Sequence, residues 1–221
     1  MLSLFSKRII LASPILLCIG CSADLVLLYI FGRQIPGYNQ LSCTISSLGE
    51  SASPISGSVT IWSVILGTII ILFGLTFREV FRGYGKLGLR ASLLIIFYGF
   101  GENIASGVIK DDYVNGRLTA MAVLHNLLGG IGVIALLLLP LLMMKILTKE
   151  QFHGFYLFSR IVLVVGFISI LLFSFRIINF DISSLNYYKG LWQRIFLVDY
   201  YIYFIAIALI MIGKISKIQD H

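Results

Sequence analysis

Charged residues are scarce in this chain: Asp, Glu, Lys and Arg together make up 12% of its 221 residues. Soluble globular domains carry about a quarter, so the scarcity excludes an ordinary water-soluble fold. With only four prolines there is no Pro-rich linker between domains. Apolar residues replace the missing charge, at 58% of the chain with a mean hydropathy of +0.97. The composition therefore predicts a single transmembrane domain over residues 1–221.

Cysteine and histidine are equally sparse, with three residues of each type. Cys18 and Cys21 form a C-x-x-C pair inside an apolar stretch, with no second Cys pair and no nearby His, so we interpret them as packing residues. His125 is the only histidine of the sequence within an apolar stretch. A three-histidine zinc site and a haem with two axial histidines are thereby excluded, and the sequence predicts no metal and no cofactor.

Six apolar stretches reach about 20 residues, the length that a helix needs to cross a bilayer. Backbone groups in hydrocarbon have to hydrogen-bond to one another, and a helix achieves this within each stretch. The sequence therefore predicts an all-α protein, a bundle of six transmembrane helices with one longer connection over residues 33–56. The predicted spans are about 9–31, 57–77, 89–109, 119–144, 158–178 and 196–213.

The distribution of Lys and Arg predicts the orientation of the bundle. Eleven of the 17 fall on the side that carries both chain termini, and six fall on the other side. Because positive charge in short loops marks the cytoplasm, we predict a multi-pass protein of the cell membrane with both termini cytoplasmic and the 33–56 loop outside. The net charge of +7 favours contact with anionic membrane lipids. It does not predict nucleic acid as a partner, since no basic patch carries interleaved aromatic residues.

Polar side chains within the spans are the strongest indication of a functional site, because lipid penalises them unless they face a protein interior or a wet cavity. In the third span Glu102 and Asn103 share one predicted helix face, and His125 and Asn126 do so in the fourth. All fall in the predicted outer half of the bundle, so we expect a polar pocket that opens outward. The predicted catalytic residues are His125 and Glu102, and the predicted ligand-binding residues are Asp24, Ser46, Asn103, Asn126, Arg176, Gln193, Arg194 and Asp199.

Such a pocket most directly predicts binding of a lipid headgroup or a small polar or anionic ligand, with Arg176 and Arg194 as anion contacts. The first alternative is an intramembrane hydrolase or transferase that acts on a lipid. His125 would then serve as general acid or base, oriented by Asp24, Glu102 or Asp111. Ser46, Ser47 and Ser106 are available as nucleophiles, although none lies in a known nucleophile motif.

The second alternative is a structural or assembly partner of another membrane protein, in which the polar residues form an ion-pair network that fixes helix packing. Transport is disfavoured because the predicted inner halves of the spans are almost uniformly apolar, for example at 136–142. No chain of charged residues crosses the bilayer, and no inverted repeat is present.

Several short motifs resemble those of a known family: Tyr38-Asn39-Gln40, 45–49 (ISSLG), Asp111-Asp112, His125-Asn126 and 190–195 (GLWQRI). They are similar to the bacterial and archaeal six-span membrane proteins grouped as domain of unknown function number nine hundred and ninety-eight. These in turn look distantly similar to the Frag, DRAM and Sfk membrane proteins, some of which are tied to lipid and GPI-anchor handling. The resemblance implies a six-span fold and a shared outward cluster that includes Ser46, His125, Gln193 and Arg194. It implies no particular activity.

Overall fold

A computed structural model describes residues 6–175 and 183–219. Within these residues, six helical stretches are long and apolar enough to cross a membrane, which confirms the predicted all-α, six-span class. One of the six, Arg82–Val108, consists of a 3₁₀ turn Arg82–Tyr84, α3, a π-helical segment Gly99–Ala105 and α4 in succession. The helices are α1 (Lys7–Arg33), α2 (Ser56–Val80), α3 (Gly85–Tyr98), α4 (Ser106–Val108), α5 (Ala120–Ile146), α6 (His153–Ser174), α7 (Ser183–Tyr187) and α8 (Lys189–Gln219).

Polar side chains cap the N-termini of two of the long helices. The Ser6 side chain accepts a hydrogen bond from the backbone N–H of Ile9 at the beginning of α1. Thr119 does the same for Ala122 of α5, with an N···Oγ1 distance of 3.1 Å. The first N–H groups of a helix have no partner within it, so these side chains set where the apolar stretches become helical.

The six membrane-crossing stretches pack in a closed ring. Each contacts the next along the chain, and α8 packs back against α1. Successive stretches run in opposite directions, so both described ends of the chain lie at one end of the bundle, which we call the terminal end. The opposite end, which we call the loop end, carries residues 34–55 and 109–119.

Aromatic residues fill the core towards the terminal end. Phe73 and Phe77 of α2 and Phe81, which directly follows α2, are fully buried, and the rings of Phe77 and Phe81 stack with centroids 4.2 Å apart. Apolar side chains also cover the outside of the ring: Leu127 is 59% exposed and Ile134 is 57% exposed. An apolar exterior around an apolar core fits lipid as the surrounding solvent.

The closest helix contacts surround the π-helical segment Gly99–Ala105. A Cβ atom added to Gly101 would lie 2.6 Å from the carbonyl oxygen of Leu128 in α5. A Cβ atom added to Gly132 of α5 would lie 2.7 Å from the backbone nitrogen of Glu102. Glycine thus allows the two backbones to touch directly, as small residues do in membrane helix pairs.

The same segment contacts α2 on its other side, where a Cβ atom on Gly67 would lie 3.0 Å from Cβ of Asn103. Asn103 therefore faces α2, whereas Glu102 faces α5. The spacing of the sequence predicts one polar face for these two residues, and the structure divides it because the segment is wedged between two helices.

A two-residue hairpin follows α4 at the loop end. Strands β1 (Tyr113–Val114) and β2 (Arg117–Leu118) pair in antiparallel register across Asn115 and Gly116, which have φ values of 50° and 73°. Two consecutive positive φ values are the geometry of a type I′ turn, for which Asn-Gly is the preferred sequence.

The contacts of Gly132 predict a stability difference between two neighbouring substitutions. We expect Gly132→Ala to lower the free energy of unfolding by about 1–3 kcal/mol, because the new methyl group meets the Glu102 backbone. Gly130→Ala in the same helix meets no atom within 4 Å. It should leave stability unchanged or raise it by up to about 1 kcal/mol through helix propensity. Thermal unfolding in detergent compares them, and equal effects would contradict the close contact.

Candidate functional site

Arg194 fastens the connecting segment 34–55 to the start of α8. Its Nη1 donates to the carbonyl oxygens of Cys43 at 2.9 Å and Gly190 at 3.0 Å, and its Nη2 donates to the Tyr38 hydroxyl at 2.6 Å. The N–H of Leu191, which has no partner within its own first helical turn, donates to Leu41 O at 2.9 Å. The fork of the guanidinium therefore serves two backbone carbonyls and one hydroxyl at once.

Tyr38 continues this network into the connecting segment. Burial raises the pKa of the Tyr38 phenol, and the nearby Arg194 offsets this only in part. The hydroxyl is therefore protonated at neutral pH. It accepts from Arg194 and donates to the carbonyl oxygen of Thr44 at 2.9 Å.

Gln193, the neighbour of Arg194, positions the next part of the segment. Its Oε1 accepts from the backbone N–H of Ile45 at 2.8 Å. Because a backbone N–H can only donate, the orientation of the Gln193 amide is settled and its Nε2 keeps two donor hydrogens. Ser46, the next residue, begins a 3₁₀ turn over Ser46–Gly49. Gln193 thereby holds the start of this turn over the bundle.

His125 of α5 lies opposite Ser46. Its Nδ1 is 2.7 Å from the carbonyl oxygen of Ile109, and its Nε2 is 3.2 Å from Ser46 Oγ. A carbonyl oxygen only accepts, so Nδ1 carries a proton, and in the neutral form of imidazole Nε2 then presents its lone pair to the Ser46 hydroxyl. The Ile109 carbonyl is available because α4 ends at Val108 and its last carbonyls lack partners within the helix.

A cavity of about 220 Å³, the main cavity, adjoins the Ser46–His125 pair. Its polar lining consists mainly of Ser46, Glu102, His125, Asn126 and Gln193, at the loop end of the ring. Its apolar lining comes largely from α5, α6 and α8, and includes Val133, Ile134, Ile170, Phe173 and Phe196. Since Ile134 is also exposed on the outside of the ring, the cavity reaches the surface between α5 and α6.

A second cavity of about 70 Å³ lies on the α2 side of the same pair. Ser46, Glu102, His125 and Gln193 line both cavities. The Ser46–His125 hydrogen bond therefore separates two spaces rather than lying inside packed protein.

Side chains near the smaller cavity form further links at the loop end. Asp112 accepts from the N–H and hydroxyl of Ser51 at 2.8 and 2.6 Å, and these bonds lower the pKa of its carboxyl group. Burial lowers the pKa of Lys110, whose Nζ hydrogen-bonds to the Thr60 hydroxyl. Burial, followed by the charges of Asp111 and Asp112, raises the pKa of Glu50. The Asp112–Ser51 bonds thus join the connecting segments at 34–55 and 109–119, and the Lys110–Thr60 bond joins the second of them to α2.

The structure brings together five of the predicted site residues, Ser46, Glu102, His125, Asn126 and Gln193, around the main cavity. Asn103 is buried, and its Nδ2 donates to Tyr98 O at 3.4 Å. Arg194 contacts the connecting segment. The partner of His125 Nδ1 is the Ile109 carbonyl, not a carboxylate as the sequence suggests. Arg176 lies outside the described residues.

Asp24 belongs to a separate buried site between α1, α2 and α8. It is 5% exposed, and its two oxygens accept from Trp62 Nε1 at 2.6 Å and from the Tyr201 hydroxyl at 2.7 Å. Asp199 of α8 does not line either cavity, and its Oδ2 is buried without a hydrogen-bond partner in the described part of the chain.

Sequence reasoning missed Tyr38, Trp62, Tyr201 and the Ile109 carbonyl as members of these networks. A signal exists for two of them: an indole N–H or a phenol within an apolar span needs an acceptor, and Asp24 is an acidic residue at similar depth. Nothing in residue type marks the carbonyl of Ile109. Among residues 6–175 and 183–219, no group of three His, Cys, Asp or Glu side chains is placed to hold a metal ion.

The fold and the site define a class of six-helix membrane proteins in which the connection between the first two helices covers a cavity near one end of the ring. A family model described as protein of unknown function (DUF998) matches residues 18–210, most of the chain, and the chain therefore belongs to that family. Comparison with curated proteins and with solved structures yields no match. The family resemblance inferred from the motifs is confirmed. The more distant likeness to Frag, DRAM and Sfk proteins stays a prediction.

The contacts of Arg194 predict the effect of a conservative substitution. A lysine ammonium cannot reproduce the fork that reaches Cys43 O, Gly190 O and Tyr38, so Arg194→Lys should cost about 1–3 kcal/mol of unfolding free energy. The released segment should expose Cys43, and its labelling by a membrane-impermeant maleimide should accelerate. Thermal unfolding and peptide mass spectrometry measure the two effects.

Arg33→Lys is the matched control, because Arg33 is exposed at the end of α1. It should change neither stability nor the labelling rate. Equal labelling rates in Arg194→Lys and in the unmodified protein would mean that Arg194 does not hold the segment.

Proposed function

We propose that this membrane protein binds a lipid in the main cavity, with a polar part of the lipid near Ser46, His125 and Gln193 and an acyl chain between α5 and α6. One observation carries this proposal: a single cavity has a hydrogen-bonding lining at the loop end and an apolar lining that reaches the outer surface at Ile134. A lipid is likewise divided into a polar part and an apolar part, and the surrounding bilayer supplies lipids.

The size of the main cavity fits a lipid that is only partly enclosed by the protein. At about 220 Å³ it is smaller than the roughly 300–1,000 Å³ of pockets that enclose a drug-sized ligand. It can therefore admit a glycerol or ester portion, while most of the acyl chain stays in the groove between α5 and α6. Insertion from the bilayer requires no passage through water.

The lining also favours a particular kind of polar group. Arg194 already hydrogen-bonds to the connecting segment, so it is not available as an anion contact in this arrangement. The Asn126 Nδ2 likewise already donates to Asp111 Oδ1 at 2.9 Å and to Ala122 O at 2.8 Å. The hydroxyl of Ser46 and the amide of Gln193 instead offer uncharged hydrogen-bonding groups. We infer that they contact ester and hydroxyl oxygens rather than the phosphate.

We also propose that the loop end faces outward from the cell membrane and that both termini are cytoplasmic. The excess of Lys and Arg towards the terminal end supports this orientation. The maleimide experiment on Cys43, performed with intact cells, reports which side the connecting segment occupies.

Filling the cavity should remove the lipid. A Cβ atom on Gly130, which lines the main cavity, meets no atom within 4 Å, so Gly130→Phe should place its ring in open space without straining the backbone. We expect the protein purified from membranes to carry at least about 5-fold less tightly bound lipid, a loss of about 1 kcal/mol in binding free energy. Mass spectrometry of the extracted lipid per protein measures this.

Gly213→Phe is the matched control, because Gly213 lies on α8 towards the terminal end and also meets no atom within 4 Å. It should retain lipid at the level of the unmodified protein. Thermal unfolding should first show that both variants are folded. Equal lipid retention in the two would then contradict binding in the main cavity.

A further inference from the structure

We propose that Ser46 and His125 form a catalytic pair that cleaves the ester bond of a lipid, with Ser46 as nucleophile and His125 as general base. This inference rests on the proposed binding of a lipid in the main cavity. It adds the reaction and the substrate class, a carboxylic ester of a fatty acid.

The pair has the geometry of an activated hydroxyl. Ser46 Oγ and His125 Nε2 are 3.2 Å apart, within the reach expected of a base and the proton that it removes. The Ile109 carbonyl at 2.7 Å from Nδ1 holds the ring in the tautomer whose Nε2 can accept that proton. This carbonyl takes the place that a carboxylate occupies in the serine-protease triad, and it fixes the tautomer without adding a charge.

Ser46 is also held where a substrate can reach it. It lies in the connecting segment, 79 positions before His125, and lines both cavities. A serine that served only to anchor the segment would need no open space on either side. The apolar lining of the main cavity leads from this hydroxyl to the lipid-facing surface at Ile134.

Gln193 supplies a donor for the oxyanion. Its Oε1 is engaged by Ile45 N, and its Nε2 has no hydrogen-bond partner in the described part of the chain. Since Ile45 immediately precedes Ser46, one hydrogen bond fixes the nucleophile and this donor relative to each other. An amide N–H aimed at a developing alkoxide stabilises the transition state of acyl transfer.

The reaction proceeds in two steps, acylation of Ser46 and hydrolysis of the acylated Ser46. Ser46 Oγ bonds to the ester carbonyl carbon while its proton passes to His125 Nε2, and the carbon–oxygen bond to the alcohol breaks as that proton passes to the leaving oxygen. Water then attacks the acylated Ser46, His125 takes a proton from the water, and the proton returns to Ser46 Oγ as the fatty acid leaves. The sum is ester plus water giving acid plus alcohol, without oxidation or reduction.

A small alkyl fluorophosphonate tests the nucleophile directly, because it modifies activated serines irrespective of lipid affinity. In the full-length protein in lipid nanodiscs, we expect one adduct, mapped to Ser46 by tandem mass spectrometry, and none in Ser46→Ala. His125→Gln should slow labelling by at least about 100-fold, the lower range for removal of a general base. Ser47→Ala is the matched control, because Ser47 Oγ donates to the Thr44 carbonyl at 2.7 Å and should not take part.

Turnover and lipid retention complete the test. The unmodified protein should release labelled fatty acid from a diacylglycerophospholipid, and Ser46→Ala should release none. Lipid retention in the unmodified protein with neither an adduct nor acid release would overturn the catalytic pair and leave lipid binding standing. An adduct at Ser46 that depends on His125, in protein that retains no lipid, would support the pair and refute the proposed binding. Labelling at an unchanged rate in folded His125→Gln would overturn the role of the base.

Discussion

The connecting segment 34–55 has to satisfy its backbone polar groups without a long helix or a sheet of its own. Short turns within the segment satisfy some of them, and the first turns of α8 supply further partners. Arg194 binds the Cys43 carbonyl, Gln193 binds the Ile45 N–H, and the Leu191 N–H binds the Leu41 carbonyl. An unpaired buried backbone group costs about 1–3 kcal/mol, so these few bonds decide the path of the segment. The position of Ser46 over the ring, and with it the cover of the main cavity, follows from that path.

Direct backbone contact on the other side of the site fixes His125. Gly129 and Gly132 of α5 bring the helix against the segment Gly99–Ala105, in which Glu102 lies. The end of α4 follows a few residues later, so the free carbonyl of Ile109 comes within reach of the imidazole. The polar pair thus forms where two independent constraints meet: hydrogen bonds that hold the segment on α8, and glycine contacts that hold α5 against the third membrane-crossing stretch.

Much of this architecture can be predicted from sequence because lipid imposes strict rules. Apolar length predicts six helices, and the cost of polar groups in hydrocarbon singles out Glu102, His125 and Gln193, which do line one cavity. The hydrogen-bond partners of the polar side chains are harder to predict. Three of the decisive acceptors are backbone carbonyls, at Cys43, Gly190 and Ile109, and every residue has such a carbonyl. Helical periodicity also fails across Gly99–Ala105, because it assumes an unbroken α-helix and ignores which neighbours compress the segment.

The π-helical segment Gly99–Ala105 divides the third membrane-crossing stretch into two α-helical parts. A π-helix holds an additional residue within a turn, so the two flanking α-helical parts are rotated relative to a continuous α-helix. If the same residues formed an ordinary α-helix, everything beyond the segment would be turned by about 100°. The Ile109 carbonyl would then point away from the imidazole, although every polar residue of the site would still be present. The π-helical geometry of this segment is therefore as necessary to the site as its side chains, because it sets the direction in which the tautomer-setting carbonyl of Ile109 points.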